Sequence, residues 1–141
     1  MLTRFETRGS PFLHGEDAWF CTSDRMCMFL LPQDAFGEKR SKITDRADDS
    51  FVQLLADLEK AIPVKPSMLT TELRVRGEDA LLEARRIGKT LVMDQYLPAA
   101  RVHGEVTWHG TDEYSPVYAI NTKGAVVAVL FPLTLVPKSK A

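Results

Sequence analysis

The stretch SPVYAINTKGAVVAVLFPLTL, residues Ser115 to Leu135, limits the possible folds more than any other part of the sequence. Val117 to Asn121 and Ala125 to Leu130 are β-rich runs, and between them NTKG supplies a turn in which Gly124 can take the left-handed conformation that closes a short hairpin loop. The second run, AVVAVLF, has no polar alternation. Such a strand must be covered on both faces, because a contiguous apolar surface in water is unfavourable. A helix over residues 50 to 62 is expected to cover one face. The other calls for a second helical segment or another protein chain. Strand-edge contact through the C-terminal hairpin or the first hairpin therefore predicts a homo-oligomer, most simply a dimer.

The remaining patterns place the other elements. AWFCTSDRMCMFLLP reads as a first hairpin, Ala18 to Thr22 and Met26 to Leu31, closed by Pro32. Residues 33 to 49 are rich in charge and poor in periodic apolar residues, so a loop is expected there, and it is the most basic local segment. Phe51, Leu54, Leu55, Leu58 and Ile62 recur at helical spacing, with Asp48, Asp49 and Ser50 as cap candidates and Pro63 as the stop. Leu73 and Val75 alternate with polar residues in a strand. Residues 80 to 87 are good helix formers ending at Gly88, which favours a helix over a returning strand. KTLVM and GEVTWHG read as strands, and DQYLPAARV as a loop or single turn broken by Pro98. The sum is an α+β fold, mainly an antiparallel sheet with two helices.

A chain of 141 residues with 45% hydrophobic and 26% charged residues has the composition of an ordinary globular protein, and one domain over 1–141 is expected. The formal net charge of -1 attracts neither nucleic acid nor an anionic membrane in bulk, so any such partner must meet a local patch. No apolar run approaches the roughly 20 residues of a membrane span, and the first residues lack the apolar core of a signal peptide. A cytoplasmic protein with no membrane partner is the expectation.

Three segments resemble the bacterial DNA polymerase sliding clamp. SPVYAINTKGAVVAVLFPLTL is similar to the ending of a clamp domain: an SPV-type hairpin, a polar turn, a continuous apolar strand, then proline. DQYLPAARVHGEVTWHG resembles the tyrosine-containing helical segment and strand before that hairpin, with Tyr96 and Leu97 at the matching place, and GEDAWFCTSDRMCMFLLP resembles the clamp hairpin with a Thr-Asp-Gly turn. Ser23 and Asp24 stand where the family has Asp and Gly, and the chain has room for about one clamp domain. The resemblance implies strands on one side and two helices on the other, with the helices facing DNA. It also implies a non-enzymatic, DNA-associated protein of phage or mobile-element type, assembling with itself or with replication proteins. Lys60, Arg85, Arg86, Lys89 and Arg101 lie near the predicted helices and would follow phosphates without reading bases. Glu59, Glu78, Asp79 and Glu83 are interspersed among them. The alternative is a small ligand- or protein-binding regulatory domain with no nucleic-acid role.

The catalytic inventory is thin. His103, Glu105 and His109 would share one face of a strand, with Asp112 and Glu113 after them, yet Gly104 and Gly110 suggest turns, so neither metal binding nor catalysis is expected. No nucleophile elbow surrounds any serine and no Gly-rich phosphate loop is present, so no cofactor is expected. A three-residue turn would set Cys21 and Cys27 opposite one another, but as two thiols they are expected to stay free in a reducing compartment. Trp19, Trp108, Tyr96, Tyr114 and Tyr118 sit in or beside apolar runs and are expected mostly in the core rather than stacked on bases.

Overall fold

The structure, a computed structural model, describes residues 9–22, 24–32, 43–74 and 81–133. Strands β1 (Gly9–His14), β2 (Asp17–Thr22) and β3 (Cys27–Leu30) precede helix α1 (Asp49–Ala56). Then come β4 (Ile62–Val64), β5 (Pro66–Arg74), β6 (Leu81–Ile87), β7 (Thr90–Met93), the short helix α2 (Leu97–Ala100), β8 (Val106–Gly110), β9 (Val117–Asn121) and β10 (Val126–Leu130). A seven-stranded sheet has the order β1-β2-β3-β10-β9-β8-β4 and a three-stranded sheet the order β5-β6-β7. Every ladder between these strands is antiparallel, so the fold is α+β and mainly antiparallel.

Turn chemistry sets the hairpins. Asn121 accepts from the amides of Lys123 and Ala125 through its side chain, and Gly124 takes a φ of 85°, so NTKG closes β9 onto β10 as expected. Ile87 pairs with Thr90 across Gly88 and Lys89, with φ positive at Gly88 alone, the pattern of a type II′ turn. Gly88 meets a second demand: a Cβ there would fall 2.8 Å from Val64 Cβ, and its amide donates to the Lys65 carbonyl at 3.1 Å. The β6–β7 turn thus rests on the junction between β4 and β5, where one sheet passes into the other.

The seven-stranded sheet is covered on both faces. Strand register puts Phe20, Phe29, Ala128, Ala119 and Trp108 on one face. These belong to one buried cluster with Ile87 and Val92 of the small sheet and Leu97, Ala99 and Ala100 of α2. The opposite face carries Phe12, Trp19, Val129 and Tyr118. There Phe51 of α1 makes edge contacts with Phe12, His14 and Trp19 at centroid distances of 5.0, 5.2 and 5.2 Å. Tyr118 Oη donates to the Leu54 carbonyl at 2.6 Å. Val127, Ala128, Val129 and Leu130 have no exposed surface, so the apolar run is buried on both sides, as its lack of alternation required. Each large side chain so buried contributes about 1.5–3 kcal/mol.

Several expectations are corrected. Residues 81–87 form a strand, because hydrogen bonding to β5 and β7 on both sides, with Ala84 and Ile87 fully buried, overrides the helical preference of their composition. The helix expected over 50–62 is shorter: Asp48 caps it by accepting from the Phe51 amide at 3.0 Å, the chain tightens to a 3-10 turn at Asp57–Lys60, and Ile62 enters β4. Pro63 explains that exit, since the residue before a proline is driven to an extended conformation. Pro98 lies in the first turn of α2, where it starts rather than breaks a helix.

Strands β1 and β4, absent from the sequence reading, form the two ends of the large sheet. Both hairpins expected to offer an open edge are internal, so neither can pair with another copy along its backbone. The helices α1 and α2 cover opposite faces, whereas the layout implied by the clamp resemblance has both on one side. Val75, Glu78 and Asp79, and residues 33–42 of the expected loop, lie outside the described residues.

Candidate functional site

The five basic residues singled out in the sequence do not form one surface. On strand β6 Arg85 and Arg86 point to opposite faces. Arg85 Nε pairs with Asp94 Oδ1 at 2.6 Å while its Nη1 donates to the Ser67 carbonyl at 2.5 Å. Arg86 Nη1 donates to the Lys89 carbonyl at 2.8 Å. Lys89 acts on Asp112, whose pKa lies below its usual value chiefly through hydrogen bonds from the Tyr114 amide and Ser115, with Lys89 adding to them. Lys60 shares with Asp57, Asp112, Ser115 and Tyr118 a recess of about 380 Å³. Lys60, Arg86 and Lys89 are therefore grouped by way of Asp112, whereas Arg85 is spent on β5 and Arg101 follows α2 on a separate element.

The histidines are separated. His103 sits in the 3-10 turn after α2 and donates from Nε2 to the Leu30 carbonyl at 2.6 Å, whereas His109 lies on β8 with Thr107 Oγ1 at 3.4 Å. Among the described residues no group of three His, Cys, Asp or Glu side chains could hold a metal. Cys21 pairs with Met28, so Cys27 falls on the other face of the sheet, and the expected opposition of the two thiols is corrected by a loop one residue longer. Burial pushes both thiols above the usual range, Cys27 far more. Trp19, Trp108, Tyr96 and Tyr118 are buried, and Tyr114 is 83% exposed.

A groove of about 650 Å³ runs along β1 between the β2–β3 turn and the chain before α1, lined by Ser10, Cys21, Arg25, Asp45, Arg46 and Asp48 among others. Its charges are mixed in sign. The chain on its outer side closes the β1 edge: Leu13 donates to the Asp45 carbonyl at 2.9 Å and accepts from the Ala47 amide at 2.8 Å.

The β7 edge is also covered, by Leu133 donating to the Leu91 carbonyl at 2.8 Å. Among the described residues β4 and β5 gain no further strand on their outer sides. They are consecutive, joined by Lys65 alone, and each is the end strand of its own sheet. Ile62 of β4 and Met68 and Leu69 of β5 are 62%, 94% and 79% exposed, half of the large hydrophobic side chains left in solvent among the described residues.

The display of Met68 and Leu69 is built. Pro66 pairs with Ile87 and Thr70 with Arg85, leaving three residues of β5 opposite Arg86 alone, a bulge that pushes Ser67, Met68 and Leu69 outward. Arg85, anchored by Asp94, holds the Ser67 carbonyl, and Ser67 Oγ accepts from the Leu69 amide at 3.2 Å. The sequence reading did not single out this pair; the signal available was two large apolar residues in succession inside an otherwise polar strand, PSMLTTE. No family model, no curated protein and no solved structure matches the chain.

Proposed function

We propose that this chain is a non-catalytic binding domain that recognises a protein partner through the open β5 edge and has no nucleic-acid role. The observation that carries this reading is the pair Met68 and Leu69, held in solvent by a bulge on a sheet edge to which no described segment is added. Exposed edges invite strand addition, and proteins ordinarily blunt them with charge or cover them. Two neighbouring large apolar side chains do the opposite and favour contact with protein. The basic residues support phosphate tracking less well: Arg85 is engaged with Asp94 and Ser67, and Lys60 and Lys89 share their surroundings with Asp57 and Asp112.

A photoreactive amino acid placed at position 68 or 69 in the native host tests the reading. Adducts with a polypeptide at these positions, and none at exposed Lys123, are expected. No adduct at 68 or 69 would overturn it. Anisotropy of a labelled duplex gives the competing outcome: binding that weakens steeply with salt and is lost in a Lys60→Ala, Arg86→Ala, Lys89→Ala variant would transfer the role to DNA.

A further inference from the structure

We infer that Cys21 and Met28 hold one soft monovalent metal ion, Cu(I) by their ligand chemistry, in the groove beside β1. The two residues stand directly opposite one another on β2 and β3. Opposed residues of antiparallel strands share a face of the sheet, with Cβ atoms about 4.5–5.5 Å apart, so one ion lies within reach of both sulfur atoms without movement of the backbone. The thioether, on a flexible unbranched chain, adapts to it. Ser10 is opposite Cys21 on its other side, and the row Ser10, Cys21, Met28 thus crosses three strands on the face that carries Phe12 and Trp19. Phe51 packs on Phe12 and Trp19 and leaves the sulfur row to line the groove. Cys21 and Met28 are half-buried there.

A thiolate and a thioether are soft donors that select Cu(I), whereas zinc takes four ligands. Among the described residues no group of three His, Cys, Asp or Glu side chains stands together, so the harder ions find no such set here. Charge gives the same answer. A monovalent ion on one thiolate is a neutral pair, which a half-buried position tolerates, and a divalent ion would leave a net charge there.

Binding exchanges the thiol proton for the ion: the S–H bond breaks, a sulfur–copper bond forms and one proton passes to solvent, with no change of oxidation state. The proton is weakly engaged in the free chain, where Cys21 Sγ donates to the Thr22 carbonyl at 3.5 Å. Cys27, with no exposed surface and on the other face, takes no part, so one ion per chain is expected.

Cu(I) buffered by bathocuproine disulfonate, kept reduced with ascorbate in the absence of oxygen, is the probe for the whole chain. Loss of the chelator's colour is expected to report one ion bound per chain, and alkylation of Cys21 by iodoacetamide, read by peptide mass, should stop when the ion is bound. Met28→Leu keeps size and apolarity, a swap that folded proteins tolerate. It should weaken binding at least about tenfold, the least that even an outer-shell change costs a metal site. Cys21→Ser should abolish binding, and Zn(II) should leave the alkylation rate unchanged. Should Cys21→Ser fail to fold, the Met28→Leu titration and the alkylation carry the test.

No binding, binding that survives Cys21→Ser, a Met28→Leu variant as tight as the parent, or equal protection by Zn(II) would each overturn the inference. None of these outcomes bears on the β5 edge, whose test is adduct formation at positions 68 and 69.

Discussion

Tyr96 donates its phenolic hydrogen to Asp24 Oδ2, tying the start of α2 to the turn between β2 and β3 across 72 residues of sequence. The same carboxylate accepts from Thr22 Oγ1 at 2.6 Å and from the Met26 amide at 3.0 Å on its other oxygen. Thr22 is itself buried and accepts from the Cys27 amide at 3.2 Å, so one aspartate organises a loop in which Arg25 takes a φ of 60°. Tyr96→Phe is expected to lower stability by about 1 kcal/mol, the worth of one hydrogen bond whose acceptor keeps other donors. Chemical denaturation at neutral pH measures it.

The pH profile of the same pair has a defined sign. Burial alone would raise the Asp24 pKa, but hydrogen bonds from Thr22, Tyr96 and the Met26 amide outweigh it and hold the carboxyl below its usual 3.8. Its contribution is therefore present above pH 3.8 and lost as pH falls through the lower folded value. Burial, then the bond to Asp24, pushes Tyr96 up from 10 to about 12. That contribution is intact below pH 10 and lost between 10 and 12. In Tyr96→Phe the alkaline loss should shrink, which thermal melts across that window would show.

Phe51 is 2% exposed and sits in edge contact with Phe12, His14 and Trp19. It is the one fully buried residue of α1. Phe51→Ala should cost about 3–5 kcal/mol, since the cavity opens between a helix and a sheet that cannot both close on it. Val52→Ala, on the exposed side of the same helix, should change stability by less than about 0.5 kcal/mol.

Gly88 is constrained twice, by its φ of 62° and by Val64 at 2.8 Å from the position a Cβ would take. Gly88→Ala should destabilise by at least about 1 kcal/mol. Adding Val64→Ala removes the clash but not the unfavourable φ, so the double variant should lose less than the sum of the two single changes. Additive losses would show that Val64 shifts aside without cost.

The two thiols should differ in reactivity. Cys27 is fully buried and Cys21 half-buried, on opposite faces of the sheet. A disulfide reagent should modify Cys21 slowly in the native protein and Cys27 only after unfolding. Equal rates in the native state would contradict the register of β2 and β3.

How far the sequence led depends on what each segment relies on. The β9–β10 and β2–β3 hairpins were legible because local chemistry decides them: Asn121 and Gly124 in one turn, Asp24 in the other. Residues 81–87 were misread because Ala84 and its neighbours favour a helix, and only the flanking strands, which local composition does not reveal, make them β. Ile62 fits the helical period of Phe51 and Leu58 and yet belongs to β4, where Pro63 ends the helix. Strand β1 was missed because Gly9 and Pro11 interrupt its run. Of the expected basic site, Arg85 proved to be a support for β5, and the pairing that decides this, with Asp94 and Ser67, joins residues on three different elements.

The position of β10 has a consequence for how the chain reaches this state. It pairs with β3 as well as with β9, and β3 lies roughly a hundred residues before it in sequence, so the large sheet is joined at its centre by strands far apart along the chain. At about 5–20 residues per second, β1, β2 and β3 leave the ribosome some 5–20 s before β10 can complete their sheet. During that interval Met28 and Phe29 can pair with β2 on one side only, and the edge that β10 later covers stays open. Folding of the seven-stranded layer is therefore governed by a slow, non-local closure late in synthesis, and a holdase chaperone would act on the first hairpin during that wait.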